Sequence, residues 1–257
     1  MAHERYKLLK TLHTPTAMTF EEIVHYRRSV RYYKPLSLDP EKVKHCLELS
    51  ALAPNSSNMQ LWEFIHITDP EVLRQLSVAC MNQSAAKTAQ QMVVFVTRQD
   101  LYRKRASAML ELSIQSTLQY SPEERVASRL KNRKRYYGFL MPFLYGRFFG
   151  LLGWFRVVVA NLLGLFRPIV YQVSEADMRV VVHKTCALAA QTFMLAMASE
   201  GYDTCPMEGF DGRKARRILK LPFGAEINMI VSCGIRDEKG IWGERVRVPF
   251  EEVYRRV

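Results

Sequence analysis

The chain has 257 residues, 48% of them apolar, which suits one large domain or two small ones around a genuine core and excludes a disordered chain. Its five cysteines, Cys46, Cys80, Cys186, Cys205 and Cys233, include no C-x-x-C pair, which argues against a disulfide framework and for free buried thiols in a reducing cytoplasm. The net charge of +12 is concentrated, because nine Lys or Arg and no Asp or Glu fall between Arg125 and Ser174 while the rest of the chain is near balance.

The first twenty residues carry a charge or histidine every few positions and lack the apolar stretch of a secretory signal, so export is not expected. Residues 1–18 read as an N-terminal extension. Thr19 to Glu22 is a capping box that starts a helix ending near Arg28. Asp39-Pro40-Glu41 starts a second helix, with Val43, Leu47 and Ala51 at helical spacing and Pro54 as its stop. Asn55 to Asn58 is turn chemistry. The alternation that follows, from Trp62 to Thr68, sets Trp62, Phe64 and His66 on one face of a strand and Glu63, Ile65 and Ile67 on the other. Asp69-Pro70 opens a helix to about Met81, and Met92 to Val96 is a buried strand. Long helices are expected at about 99–119 and 175–200, the second closed by Gly201. A helix at about 211–219 stops at Pro222, and an apolar strand covers Ile227 to Cys233. Strands and helices alternate without a βαβ repeat, which gives an α+β fold with a sheet covered by helices.

Four motifs carry chemistry. Arg27, Ser29 and Arg31 share one side of an extended segment after the first helix, and Arg28 lies between them, so guanidiniums and a hydroxyl surround one anion. The turn from Ala53 to Trp62 packs side-chain amides and hydroxyls densely enough to serve a heterocycle edge. Glu208-Gly209 precedes a helix start, where glycine lets backbone approach a ligand. Arg245 and Arg247 share one face if residues 245–249 form a strand.

In this order, R-R-S-V-R at 27–31, A-P-N-S-S-N-M-Q-L-W at 53–62, E-G-F-D at 208–211 and R-V-R-V-P at 245–249 resemble the FMN-dependent nitroreductase family. The resemblance covers about 19–120 and 175–257. It implies a single FMN-binding domain over 19–257 with a three-layer fold, a mixed, mainly antiparallel sheet between helices, and an intertwined homodimer. It implies cofactor contacts from Arg27, Arg28, Ser29, Arg31, Asn55, Ser56, Asn58, Asn82, Glu208, Gly209, Arg245 and Arg247. It also implies electron transfer from NADH or NADPH to a nitroaromatic, quinone or other small conjugated acceptor. No acid, base or nucleophile set is expected, because the flavin carries the chemistry. No G-x-G-x-x-G follows a strand, so the nicotinamide would bind transiently over the flavin. Leu61, in place of the usual proline, and Ala85, in place of a basic residue, depart from the family pattern.

Residues 121–174 stand outside the resemblance as an apolar, basic insertion. A single membrane crossing is excluded if Arg27 and Arg247 serve one site, since they flank the segment and must lie on the same side. What remains is a pair of short helices or a hairpin, with Gly146-x-x-x-Gly150 available for close packing. It either covers the active site and dimer or lies peripherally on an anionic membrane surface, on the inner face. In the second case the competing reading is a membrane-docked flavin-handling protein with incidental reductase activity. The segment is too apolar for a solvated nucleic-acid groove, so no nucleic-acid partner is expected.

Overall fold

The computed structural model describes residues 18–257, and the expected N-terminal extension lies almost wholly outside the described residues. Helix α1 (Phe20–Tyr26) starts on the capping box, with Glu22 N–H donating to Thr19 Oγ1 at 3.3 Å and Thr19 N–H to Glu22 Oε2 at 2.8 Å. Asp39 and Asp69 cap α2 (Pro40–Ser50) and α3 (Pro70–Ala79), each with proline in the first turn, where the missing N–H costs nothing. Strand β1 (Trp62–Ile67) lies between them, and the short α4 (Ser84–Lys87) leads into β2 (Gln91–Thr97). Helix α5 (Tyr102–Tyr120) is followed by α6 (Glu123–Arg135), a π-helical turn (Tyr136–Leu140), α7 (Met141–Tyr145) and α8 (Leu151–Gly164). The long α9 (Glu175–Ser199) ends at Gly201, whose φ of +74° is open to glycine. Strand β3 (Asp203–Met207), α10 (Gly212–Ile218), β4 (Glu226–Gly234) and the short α11 (Phe250–Val253) complete the chain.

The four strands form one antiparallel sheet in the order β1-β2-β4-β3, to which Ser29 adds an isolated parallel bridge with Thr204. β3 escapes the sequence reading because Pro206 interrupts it. An edge strand tolerates proline, since at Pro206 the only strand beside β3 is β4. On one face, Trp62, Val93, Phe95 and Val231 pack with Val43 of α2 and Ala189, Phe193 and Met197 of α9. On the other, Ile67, Val94, Val96 and Ile230 pack with Leu76 and Ala79 of α3 and Ala215 of α10. The strict period of two in β1 and β2 is what sorts these side chains between three layers. Met178, Ala189, Phe193 and Met197 are buried within the chain and Val181 is partly buried, because α9 is the core helix of this sandwich.

A third cluster joins Met59, Leu61, Met109 of α5, Tyr137, Met141, Tyr145 and the start of α9 through Met178 and Val182. Residues 137–145 are thus part of the body. Gly146 and Gly150 do not share a helix. Gly146 follows α7 and Gly150, at φ +83°, precedes α8, so their spacing serves a turn.

Glu226 ties this region to the sheet. Its carboxylate accepts from Arg147 at 3.3 Å, Arg179 at 2.5 Å and His183 Nε2 at 3.4 Å. A bulge in β4, where the register skips Asn228, turns that side chain toward His183, and its Nδ2 donates to Nδ1 at 3.2 Å. That arrangement needs the neutral ring. Burial, opposed by Glu226 and reinforced by Arg179, lowers the His183 pKa below its usual 6.5. Burial opposes ionisation of Glu226, but Arg179 and His183 outweigh it and lower its pKa below 4.5. The unfolded chain therefore binds more protons than the folded one as pH falls below each ordinary value. Stability is expected to decline in two stages on acidification, first from about pH 6.5 and again from about pH 4.5. Melting temperature against pH measures it, and His183→Gln should remove the upper stage and shrink the lower one, because it also takes away one of the two groups that hold the Glu226 pKa down.

Candidate functional site

Helix α1 stops where Arg27 turns extended (φ −60°, ψ 122°). The segment then runs beside the edge strand: Val30 N–H donates to Thr204 O at 3.1 Å and Arg31 N–H to Gly240 O at 2.7 Å. Val30 is fully buried, so the alternate residues Arg27, Ser29 and Arg31 face the other way. The C-terminal strand expected at 245–249 is not formed. Residues 244–249 pair with no strand among the described residues, and the segment closes a cleft of about 250 Å³ over Arg27, Arg28, Ser29 and Arg31.

The two arginines of that segment do different work. Arg245 donates to Val24 O and His25 O at 3.2 Å and to Arg27 O at 2.6 Å, satisfying the open carbonyls at the end of α1. Arg247 lines the cleft, and its side chain donates to Val246 O at 2.7 Å, its one hydrogen bond among the described residues. Arg28 holds Gly243 O at 2.9 Å, and Arg31 lies 5.5 Å from the Trp242 ring centre. Among the described residues none of these five arginines makes an ion pair. Burial, then Arg247 and Arg28, hold the Arg27 pKa below its ordinary value, and Arg245 is lowered by burial, Arg27, Arg28 and Arg247. Glu244 lines the same cleft and makes no ion pair with them among the described residues, so five arginines against one carboxylate leave a strongly positive cleft suited to an anion.

The other end of β3 meets a second group. Asn82 sits at φ +54° with its N–H on Ser77 O, closing the turn after α3. Gln83 Nε2 donates to Gly209 O at 2.7 Å, and Asp211 N–H donates to Ala79 O at 2.8 Å, so the Asn82 turn and the Glu208-Gly209 corner abut. Gln83 was not foreseen. Nothing in its sequence context marks it, because its partner lies 126 residues away. Thr204, beside Ser29, and Gly209, two residues past the end of β3, are five residues apart, a span of at most roughly 17 Å.

The polar turn stands elsewhere. Asn55 is spent inside it, with Oδ1 accepting Gln60 N–H at 2.9 Å and Nδ2 on Asn58 Oδ1 at 3.4 Å. Ser57 Oγ bonds Tyr136 Oη at 2.8 Å, and Tyr137 Oη donates to Ser57 O at 3.0 Å. Ser56 bonds Tyr145. Five of the seven non-glycine residues with positive φ among those described, Ser57, Asn58, Gln60, Met81 and Asn82, lie in this turn and the Asn82 turn. Strain concentrated there is a mark of functional backbone. The turn packs through Met59 and Leu61 in the cluster holding the start of α9, whereas α1 is tied to its far end by Tyr26 Oη on Gly201 O at 3.0 Å. Val182 and Gly201 are separated by on the order of 28 Å along the helix. In one chain, the arginine cleft and the polar turn do not meet.

Comparison with known proteins agrees with this architecture. The family model described as "Nitroreductase family" matches residues 24–235. Protein DrgA of Synechocystis sp. is 26% identical over 223 residues, covering 86% of this chain and 85% of that protein. MhqN of Bacillus subtilis, named as an NAD(P)H nitroreductase, is 23% identical over 216 residues, covering 84% and 87%. A nitroreductase-type structure from Exiguobacterium sibiricum, solved in complex with FMN, superposes with a TM-score of 0.66 at 21% identity over 94% of this chain and 99% of that one. The match of the family model across most of the chain, on a three-layer α+β sandwich with these motifs at its edges, makes this protein a member of the nitroreductase family.

Proposed function

We propose that the chain is an FMN-dependent oxidoreductase that passes electrons from NADH or NADPH to a nitroaromatic, quinone or other small conjugated acceptor, and that it works as a homodimer. The observation that carries this reading is the arginine cleft at one end of β3 with an amide-rich corner at the other, a span that suits an extended mononucleotide. Arg27, Arg31 and Arg247, with Ser29, would hold the phosphate. Arg28 and Arg245 would position the walls of that cleft, since their guanidiniums are engaged with backbone carbonyls. The amides of Glu208 and Gly209, with Asn82, would face the ring system. The chemistry such a flavin supplies is two-electron transfer in a ping-pong cycle, with donor and acceptor using the same face in turn.

The distance between the cleft and the polar turn supports the dimer. Ser56 and Asn58 can border the flavin only if they come from a second copy, with Asn55 holding their turn. Val180 and Leu188, exposed on α9, and the unpaired tail from Val246 to Tyr254 are available as apolar surface for that contact. Five buried free cysteines agree with a reducing, cytoplasmic setting.

Purified protein is expected to be yellow, to oxidise NADH or NADPH faster when a quinone is added, and to sediment as a dimer carrying flavin absorbance. A monomer with full flavin would remove the dimer. Colourless protein that takes up no added FMN would remove the cofactor.

A further inference from the structure

Helix α8 is inside out. Its sequence, LLGWFRVVVANLLG, holds one ionisable residue, and on a surface helix that residue belongs in water. Instead Gly153, Arg156 and Ala160 form the buried stripe. Arg156 is 2% exposed and donates to Phe143 O at 2.8 Å and to Leu144 O, late carbonyls of α7. Glu175 secures the entry to the helix by accepting from the amides of Phe148 at 2.9 Å, Gly150 at 3.0 Å and Gly153 at 3.4 Å. With Arg156 turned inward and Asn161 left at the surface, large apolar side chains face out on the helix and its flanking turns: Trp154 is 68% exposed, Leu165 76%, Phe166 87% and Phe149 94%.

The patch continues into the basic part of the chain. Phe155 meets Phe143 edge-on with ring centres 6.4 Å apart, and Phe143 stacks on Phe139 at 6.0 Å. Phe139 lines an open hollow of about 590 Å³ with Leu140, Tyr136, Asn132 and Arg135. Arg133, Lys134 and Arg135 form the last turn of α6, are exposed and make no ion pair among the described residues. Apolar surface of this extent beside uncompensated cations has one complementary solvent, an anionic lipid surface.

We propose that α8 and the turns flanking it dock on an anionic phospholipid bilayer, with Phe149, Trp154, Phe155 and Phe166 in the acyl boundary and the basic end of α6 at the headgroups. At 14 residues α8 is about 21 Å long. That is short of the roughly 30 Å hydrocarbon core, so the helix lies along the interface. α9, long and apolar enough for a span, is committed to the sheet. A second copy could cover the apolar side chains, since a two-fold contact sets this patch against another face of the partner, but the exposed cations beside it match anionic headgroups. The proposal is independent of the flavin reading.

Flotation of full-length protein with phosphatidylcholine vesicles, with and without phosphatidylglycerol, tests it, with flavin absorbance and sedimentation followed in parallel. The expected result is at least about tenfold more binding to the anionic vesicles, weakened but not abolished at ~0.5 M salt, where charge attraction is screened and insertion is not. Brominated acyl chains should quench Trp154, and Trp154→Phe should remove the quenching. The double variant Phe149→Asp, Trp154→Asp should stop flotation without changing sedimentation or flavin content. Absence of flotation, equal binding to neutral vesicles, or a change of oligomeric state in the double variant would overturn the proposal, the last by showing that the patch seats a second copy. None of these outcomes depends on whether the protein reduces a quinone.

Discussion

Replacing Arg27 or Arg247 with alanine is expected to lower FMN affinity by roughly tenfold to a hundredfold, about 1.5 to 3 kcal/mol, the range for a hydrogen bond to a charged group. Arg27 is the better probe, because it makes no ion pair among the described residues and its side chain serves no visible structural contact. Its burial and the repulsion from Arg247 and Arg28 disfavour the Arg27 charge, and a phosphate of about −2 charge would reverse that sign. Removing one cation also relieves its neighbours, which holds the loss below what a lone arginine would show. Arg245→Ala should behave differently. It uncovers three carbonyls at the end of α1, so part of its effect will appear in the melting temperature of the flavin-free protein. Flavin fluorescence titration at fixed ionic strength decides between them. Unchanged affinity in both Arg27→Ala and Arg247→Ala would remove the phosphate assignment.

The sequence is most legible where local chemistry alone sets the structure. The capping box at Thr19, the Asp-Pro starts at 39 and 69 and the glycine at 201 each mark a helix end, because each satisfies orphan backbone groups within a few residues. β1 is legible from its alternation and β2 as a continuous apolar run, because β2 is buried on both faces of the sheet. What is hidden depends on contacts distant in the chain. β3 carries a proline and is a strand only because β4 pairs with it, and the Gln83 bond to Gly209 joins two loops no local pattern connects. Composition also misleads about α8. An arginine in an apolar helix reads as a solvent-facing charge, whereas here the carbonyls of Phe143 and Leu144 bring it inside. Among the residues proposed for the site, Asn55, Arg28 and Arg245 are engaged with the protein itself through contacts that no local pattern reveals.

Asp203→Ala is expected to give the largest loss of stability, about 3 to 5 kcal/mol, the cost of leaving a buried charge without its partner. The Asp203 side chain is 1% exposed and accepts from Arg236 N–H and Nε at 2.8 Å each and from Arg236 Nη2. The same guanidinium donates to Tyr26 O at 3.1 Å and lies 4.2 Å from the centre of the Tyr26 ring. One side chain therefore fastens the end of α1, the first residue of β3 and the exit of β4, and Arg27 is the next residue after Tyr26. For a chain of this size each kcal/mol lowers the melting temperature by about 2 to 4 °C, so a drop on the order of 10 °C should accompany weakened flavin binding. A double variant, Asp203→Leu with Arg236→Met, separates the two effects. Exchanging a buried ion pair for apolar side chains is often close to neutral, so the double variant should recover most of the melting temperature. Flavin affinity should recover less, because the tie from Arg236 to the end of α1 stays broken. A melting temperature in Asp203→Ala within about 2 °C of the parent, less than 1 kcal/mol by the same conversion, would show that the pair is not the strut that holds the arginine cleft in place.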